Sequence, residues 1–189
     1  MKKIFLPLLL LGANYASAFG AIEEYRVDPA HSSVGFQILH FFTPVSGSFE
    51  RFQGSLTIDR DNLENSSAEA VIEVSSIDTR QKMRDKDLRS TNFFHAARYP
   101  KITFKTTSWK KTEQENVYTV TGDLTMLDTT RPITLSVEAL GFGPGMQGNF
   151  ISGWKATGKI NRDNWEISSG KPAVGSSVAI EVLIEAIRQ

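Results

Sequence analysis

Three histidines and a run of arginines have the widest chemical reach in this chain, which contains no cysteine. Imidazole titrates near neutral pH and serves as base, acid or metal ligand. His31 stands three residues after Asp28 in Tyr25-Arg-Val-Asp-Pro-Ala-His-Ser, so a carboxylate is within reach to orient its ring as a general base. The same residues also describe a turn, because Pro29 presets the backbone dihedral and Asp28 accepts bonds from the backbone that follows. No Gly-x-Ser-x-Gly nucleophile motif accompanies the pair, and no catalytic residue is assigned. His40 and His95 have no second histidine at ligand spacing, whereas zinc needs three or four converging ligands; no metal site is expected. Arg80, Arg84 and Arg89 admit two readings: a solvated helix face, or a polar lid that grips an anionic or carbonyl head group through paired N–H donors.

The elements that must position these groups are mostly strands. Val34, Phe36 and Ile38 alternate with polar residues, and His40 shares their parity. Thr43-Pro44 ends that run, since proline has no N–H to donate to a ladder. A second run to Ile58 presents Phe52, Leu56 and Ile58 on one face, with Gly54 between them. A short strand over Ala21–Asp28 precedes both runs, and Ala68–Val74 follows. Further strands are predicted at Ile102–Trp109, Val117–Leu127, Ile133–Phe142, Phe150–Ile160 and Val178–Ile187, the first two with clear period-two patterning. Between Ser75 and Pro100 no such period fits. One or two short helices are expected around residues 80–98, the second capped near Asn92 and stopped before Pro100.

About nine strands in one domain predict an all-β fold, either a closed antiparallel β-barrel of about eight strands or a sandwich. Closure is favoured because long open edges invite aggregation. Phe36, Ile38, Phe42, Phe52, Leu56, Ile72, Phe104, Leu124, Met126, Leu135, Val137 and Trp154 supply an apolar interior face, with Gly54, Gly122 and Gly158 leaving room beside them. Small barrels either fill with side chains or hold one small ligand, and periodicity does not choose between the two.

Bulk properties narrow the classes. At 189 residues the chain suffices for one domain with a real core. Lys2-Lys3, the apolar run Ile4–Leu11 and Ala16-Ser17-Ala18 read as a secretory signal peptide over residues 1–18, leaving a domain over 19–189. Without Lys2 and Lys3 the basic side chains number two fewer than the 21 acidic ones. Such a balance offers no electrostatic case for binding nucleic acid.

Several segments together carry a family resemblance. They are Tyr25-Arg-Val-Asp-Pro-Ala-His-Ser with Val34-Gly-Phe and His40; Ser76-Ile-Asp-Thr with Arg84-Asp and Leu88-Arg-Ser; Asn92-Phe-Phe and Tyr99-Pro-Lys-Ile-Thr-Phe; Val120-Thr-Gly-Asp-Leu-Thr; and Thr130-Arg-Pro-Ile-Thr-Leu. In this order the chain resembles the YceI-like family of secreted bacterial lipid-binding proteins. The resemblance implies an extended lipocalin-like barrel with a hydrophobic tunnel, a periplasmic location, and a polyisoprenoid or similar long-chain amphiphile as ligand, such as a prenyl quinone or prenyl phosphate. It tips the interior towards hollow. The twelve apolar residues above become the expected tunnel lining, with His31, His40, Arg84 and Arg89 as the expected head-group contacts. No cofactor other than the bound lipid is expected; transient membrane contact is compatible with this role, and a homodimer stays open. One departure concerns Asn161-Arg-Asp-Asn-Trp-Glu-Ile, where Trp165 stands for the family's usual phenylalanine and the following loop is short.

Overall fold

The computed structural model describes residues 22–146 and 148–189; the expected leader over 1–18 lies outside them. Its strands are β1 (Ile22–Val27), β2 (Ser33–His40), β3 (Thr43–Phe49), β4 (Phe52–Asp59), β5 (Ser67–Glu73), β6 (Ile77–Asp78), β7 (Lys101–Lys111), β8 (Val117–Met126), β9 (Thr129–Pro144), β10 (Phe150–Asn161) and β11 (Val174–Arg188), with one short helix, α1 (Lys82–Leu88). All pairings are antiparallel, and a contact between β1 and β11 closes the sheet. β1 and β2 lie one after the other along β11; β4 and β3 lie likewise along β1 and β2, and β6 resumes beside β3 where β5 has left β4. Eleven segments therefore fill eight barrel positions. β10 alone is 12 residues long, about 40 Å of strand and, at a tilt near 40°, about 30 Å of barrel axis.

The interruptions have local causes. Between β1 and β2, Asp28 caps a single turn at Pro29–His31 by accepting the Ala30 N–H at 3.0 Å. The Asp28 N–H donates to the Glu185 carbonyl at 2.8 Å, and Ser32 Oγ accepts the Glu185 N–H at 3.0 Å. The break is thus stitched to β11. The run expected to continue from Val45 to Ile58 divides at Glu50-Arg51, where the Arg51 carbonyl accepts the Glu73 N–H at 2.9 Å.

Two prolines sit inside strands, against expectation. Pro44 lies opposite Leu39 in the β2–β3 hairpin, and β3 meets β6 only at Ser48 and Phe49, so Pro44 is on an edge. Pro132 lies opposite Asp123, and β10 joins β9 only from Ser136 onward. In both places no second strand requires the missing donor. The β8–β9 connection consequently shrinks to Leu127-Asp128. The second expected helix near Asn92 is a series of turns instead. His95 has φ +44°, in the left-handed region, which a right-handed helix does not accommodate.

The core is unevenly distributed. At the end where β1 begins, Tyr25, Phe142, Trp154 and Trp109 stack edge to face, with ring centroids 6.4, 5.4 and 5.7 Å apart in succession. Ile58 and Ala186 are fully buried beside them. This end is solid.

Candidate functional site

Above that aromatic plug the barrel is hollow. A cavity of about 780 Å³ runs from Trp109 and Trp154 towards α1 and the β2–β3 hairpin, within the range of about 300–1,000 Å³ typical of small-molecule sites. Its wall is built by alternation, because every second residue of each strand points inward. β2 contributes Val34, Phe36 and Ile38; β8 contributes Val120, Leu124 and Met126; β11 contributes Val178, Ile180, Val182 and Ile184.

Of the twelve residues expected to line a tunnel, Phe36, Ile38, Phe52, Leu56, Ile72, Phe104, Leu124, Met126, Leu135, Val137 and Trp154 border this cavity. Phe42 does not. It occupies the tip of the β2–β3 hairpin and is almost wholly exposed, because the strand ends at His40 and inward parity does not continue through a turn. Of the glycines expected to leave room, Gly54 borders the cavity, whereas the Phe104 ring and the Leu135 side chain occupy the space beside Gly122 and Gly158.

The open end is roofed by polar ties. Arg162 continues the inward face of β10, and its guanidinium is buried. Its Nε donates to the Gly175 carbonyl at 2.8 Å, Nη1 to Ile167 at 2.7 Å and Nη2 to Val174 at 3.1 Å. Burial holds its pKa below the ordinary arginine value. Trp165 is buried beneath this loop and donates its indole N–H to the Leu124 carbonyl at 3.1 Å, which fixes the loop across the β8 side of the barrel. On the other side, Asp85 of α1 accepts the Thr79 N–H at 2.9 Å and the Thr79 hydroxyl at 2.5 Å. Arg84 Nε and Nη2 donate to Thr79 Oγ1 and its carbonyl, both at 2.8 Å.

The four expected head-group residues separate. His40 and Arg84 border the cavity at its open end, where Arg84 Nη1 makes no hydrogen bond among the described residues. Arg89 points away, its Nη1 reaching the Ser75 and Ile77 carbonyls at 3.4 and 3.3 Å. His31 is outside the barrel wall, with its Nδ1 2.7 Å from Asp28 Oδ2 and 3.8 Å from Glu185 Oε1. The hydrogen bond to Asp28 raises the His31 pKa, and the same bond lowers that of Asp28. These three residues are a group whose ligand atoms converge within 4.8 Å, on an exposed surface. The dyad foreseen from Asp-Pro-Ala-His is real as a contact, but it fastens the β1–β2 break and does not face the cavity.

Alternation missed the contributions of Phe49, Leu88, Phe93, Phe94 and Arg162 to the lining. Phe49 stacks between Phe36 and Phe94, with centroids 5.7 and 6.0 Å away, so the irregular segment after α1 serves as a wall of the cavity.

Fold and cavity together define a class: an eight-position antiparallel barrel, solid at one end and hollow with an apolar lining at the other. The YceI-like domain model matches residues 25–186, and the chain belongs to that family. Protein YceI of Escherichia coli O157:H7 is 32% identical over 192 residues, covering 100% of both chains. Among solved structures, the Campylobacter jejuni YCEI protein superposes with a TM-score of 0.72 at 25% identity, covering 78% of this chain and 87% of that one. A polyisoprenoid binding domain from Saccharophagus degradans shares the fold, with a TM-score of 0.65 at 14% identity over 89% of this chain and 100% of that one.

Proposed function

We propose that this protein holds a polyisoprenoid or similar long-chain amphiphile in the barrel, as a periplasmic carrier or store, with the tail against the aromatic floor and the head at the open end. The observation that carries the reading is the cavity itself: a continuous apolar space of about 780 Å³ in a protein that would otherwise lose stability through the unfilled volume. The fold neighbour described as polyisoprenoid-binding supports the choice of ligand class. Each buried CH2 contributes about 0.8 kcal/mol, so three isoprene units supply roughly 12 kcal/mol against association costs of order 4–15 kcal/mol. Tail burial therefore does most of the binding, and the head needs few partners. His40 and Arg84 are the candidates, and the free Nη1 of Arg84 suits an acceptor head such as a quinone carbonyl or a phosphate. The Asp28–His31 pair lies outside the cavity, so of the two histidines that chemistry on the bound lipid could use, His40 alone stands near the head.

Native mass spectrometry of protein exported by its own host, followed by solvent extraction, tests this reading. The expected result is one long-chain amphiphile per chain. A ligand-free mass, together with no uptake of added prenyl quinone, would overturn it in favour of an interaction module with an empty or filled barrel. Ala156→Phe sharpens the outcome, since Ala156 borders the cavity opposite no other large ring of its own strand pair, lying between Val137 and Val182. In a hollow barrel the new ring enters free space and changes stability by less than about 1 kcal/mol while lowering lipid occupancy; in a packed core it would cost about 1–3 kcal/mol.

A further inference from the structure

The hairpin that borders the mouth ends in two adjacent aromatic residues facing solvent. Phe42 is 94% exposed and Phe41 58%, while Leu39 on the same hairpin is 46% and Met83 of α1 is 70% exposed. Solvent-facing loop tips are ordinarily polar, and a two-residue hairpin loop with positive φ at its first position ordinarily has glycine there. Here Phe41 takes φ +50°, a strained conformation for a bulky side chain. Phe41 meets the His40 ring edge to face, with centroids 4.8 Å apart, but both phenylalanine rings lie outside the lining of which His40 is part, and Phe42 has no such partner among the described residues to explain its exposure.

The tip is also firmly placed. The Phe41 N–H donates to the Ala173 carbonyl at 2.7 Å, so the hairpin is joined to the loop that roofs the barrel, and Ala173 itself borders the cavity. Met83 borders the same open end. The apolar lip and the mouth of the cavity are one continuous edge.

Charge along the α1 side of this edge is one-sided. Residues 78–101 carry seven basic side chains, Arg80, Lys82, Arg84, Lys86, Arg89, Arg98 and Lys101, against three acidic ones, Asp78, Asp85 and Asp87, although the whole chain is neutral in formal charge. One of the three, Asp85, is buried against Thr79, which leaves the basic excess facing water.

We infer that this edge is a docking surface for an anionic lipid bilayer: Phe41 and Phe42 enter the interface, the basic side chains of α1 and its flanks meet the lipid phosphates, and the cavity mouth is brought to the membrane. The inference rests on the lipid-binding reading, because it gives a water-insoluble ligand a route that never crosses bulk water. A few aromatic anchors beside basic residues is the pattern that binds anionic membrane surfaces. A second copy of the chain fits less well. At about 150–250 Å² per large side chain, the exposed fractions of these four give about 500 Å², below the roughly 800 Å² per partner of a stable complex.

Flotation of the full chain with vesicles of phosphatidylglycerol and phosphatidylethanolamine tests the surface, alongside vesicles of phosphatidylcholine alone. The wild type should float with the anionic vesicles, less with the neutral ones, and less as salt is raised. Phe42→Ser should weaken flotation about tenfold, the effect of one buried aromatic ring. Phe41→Gly should weaken it while leaving the fold as stable or more so, because glycine relieves the positive φ; a merely structural role for Phe41 would do the reverse. Both variants should still take up prenyl quinone from detergent micelles. Flotation equal in wild type and variants, or absent in all, would overturn the docking surface. So would a concentration-dependent dimer in sedimentation that Phe42→Ser dissolves without any vesicle binding. Vesicle binding with the expected variant losses but no prenyl quinone uptake would leave the surface standing and remove the proposed ligand.

Discussion

The two ends of the barrel are closed by different physics. At the solid end, Tyr25, Phe142, Trp154 and Trp109 fill the interior by edge-to-face stacking, and an outer layer of charge covers them. Glu23 accepts the Tyr25 hydroxyl at 2.5 Å and the Arg188 guanidinium at 2.9 Å, while Arg60 and Arg188 lie over the Phe150 ring at 5.1 and 4.6 Å. At the open end, the loop from Arg162 to Val174 and helix α1 are held mainly by hydrogen bonds to a few buried polar groups, with Trp165 and Ile167 as the loop's own buried anchors and the cavity beneath. Packing contacts are lost together when an element moves. A roof tied at discrete points can lift locally while the strands stay paired. The contrast places passage of a ligand at the open end and anchors global stability at the other.

Breaking the solid end should give the larger effect. Trp154→Ala removes a buried ring that touches Trp109 and Phe142 and leaves Ser152 Oγ without the indole N–H it accepts at 2.9 Å. The expected destabilisation is about 3–5 kcal/mol in denaturant unfolding. A loss below about 1 kcal/mol would mean that this end is not the stable half. Arg162→Met acts on the roof. Three backbone carbonyls lose a charged donor, each such bond being worth about 1.5–3 kcal/mol, but removal of a buried cation offsets part of that; a net loss of about 2 kcal/mol is expected. Hydrogen exchange separates the two variants. In Arg162→Met the amides of residues 167–175 should exchange faster while those of β9 and β10 near Trp154 do not change, and uniform acceleration would contradict an independently tied roof.

The same contrast explains what could be seen in the sequence. Strand walls were legible because alternation records which side chains share a face: Phe104, Leu124 and Met126 all fall inward as their spacing indicates. Val178, Ile180, Val182 and Ile184 carry the same signal against Glu181 and Glu185, and parity alone names them as lining. Arg162 continues the parity of Trp154, Ala156 and Ile160, yet a charged residue at a strand end reads as solvent-facing unless three carbonyls are known to converge on it. Phe42 failed for the opposite reason, since its parity was carried across a turn that no glycine or asparagine marks. Whether the barrel was hollow was not legible at all. Periodicity tells which face a residue takes and is silent about the distance to the opposite wall.

The smallest effect belongs to the junction between β1 and β2, where Asp28 and His31 face solvent on the outside of the wall. The hydrogen bond between them raises the His31 pKa above its ordinary 6.5 and lowers that of Asp28 below its ordinary 3.8. For His31 the folded chain holds a proton that the unfolded chain has released, so its contribution to stability is full below about pH 6.5 and disappears as pH rises through the raised folded value. For Asp28 the contribution is present above about pH 3.8 and is lost as pH falls through the lowered folded value. The pair therefore supports the fold most between those limits, with an effect muted by solvent screening. A proton NMR titration of the His31 ring should show a midpoint above 6.5 in the wild type and a return towards 6.5 in Asp28→Asn, with lipid occupancy the same in both. An unshifted wild-type midpoint would mean that the turn is held by the Asp28 cap on Ala30 and the bonds to Glu185, without the imidazole. A loss of lipid with Asp28→Asn would bring this outer junction into the binding machinery and erase the division between wall fastening and ligand site.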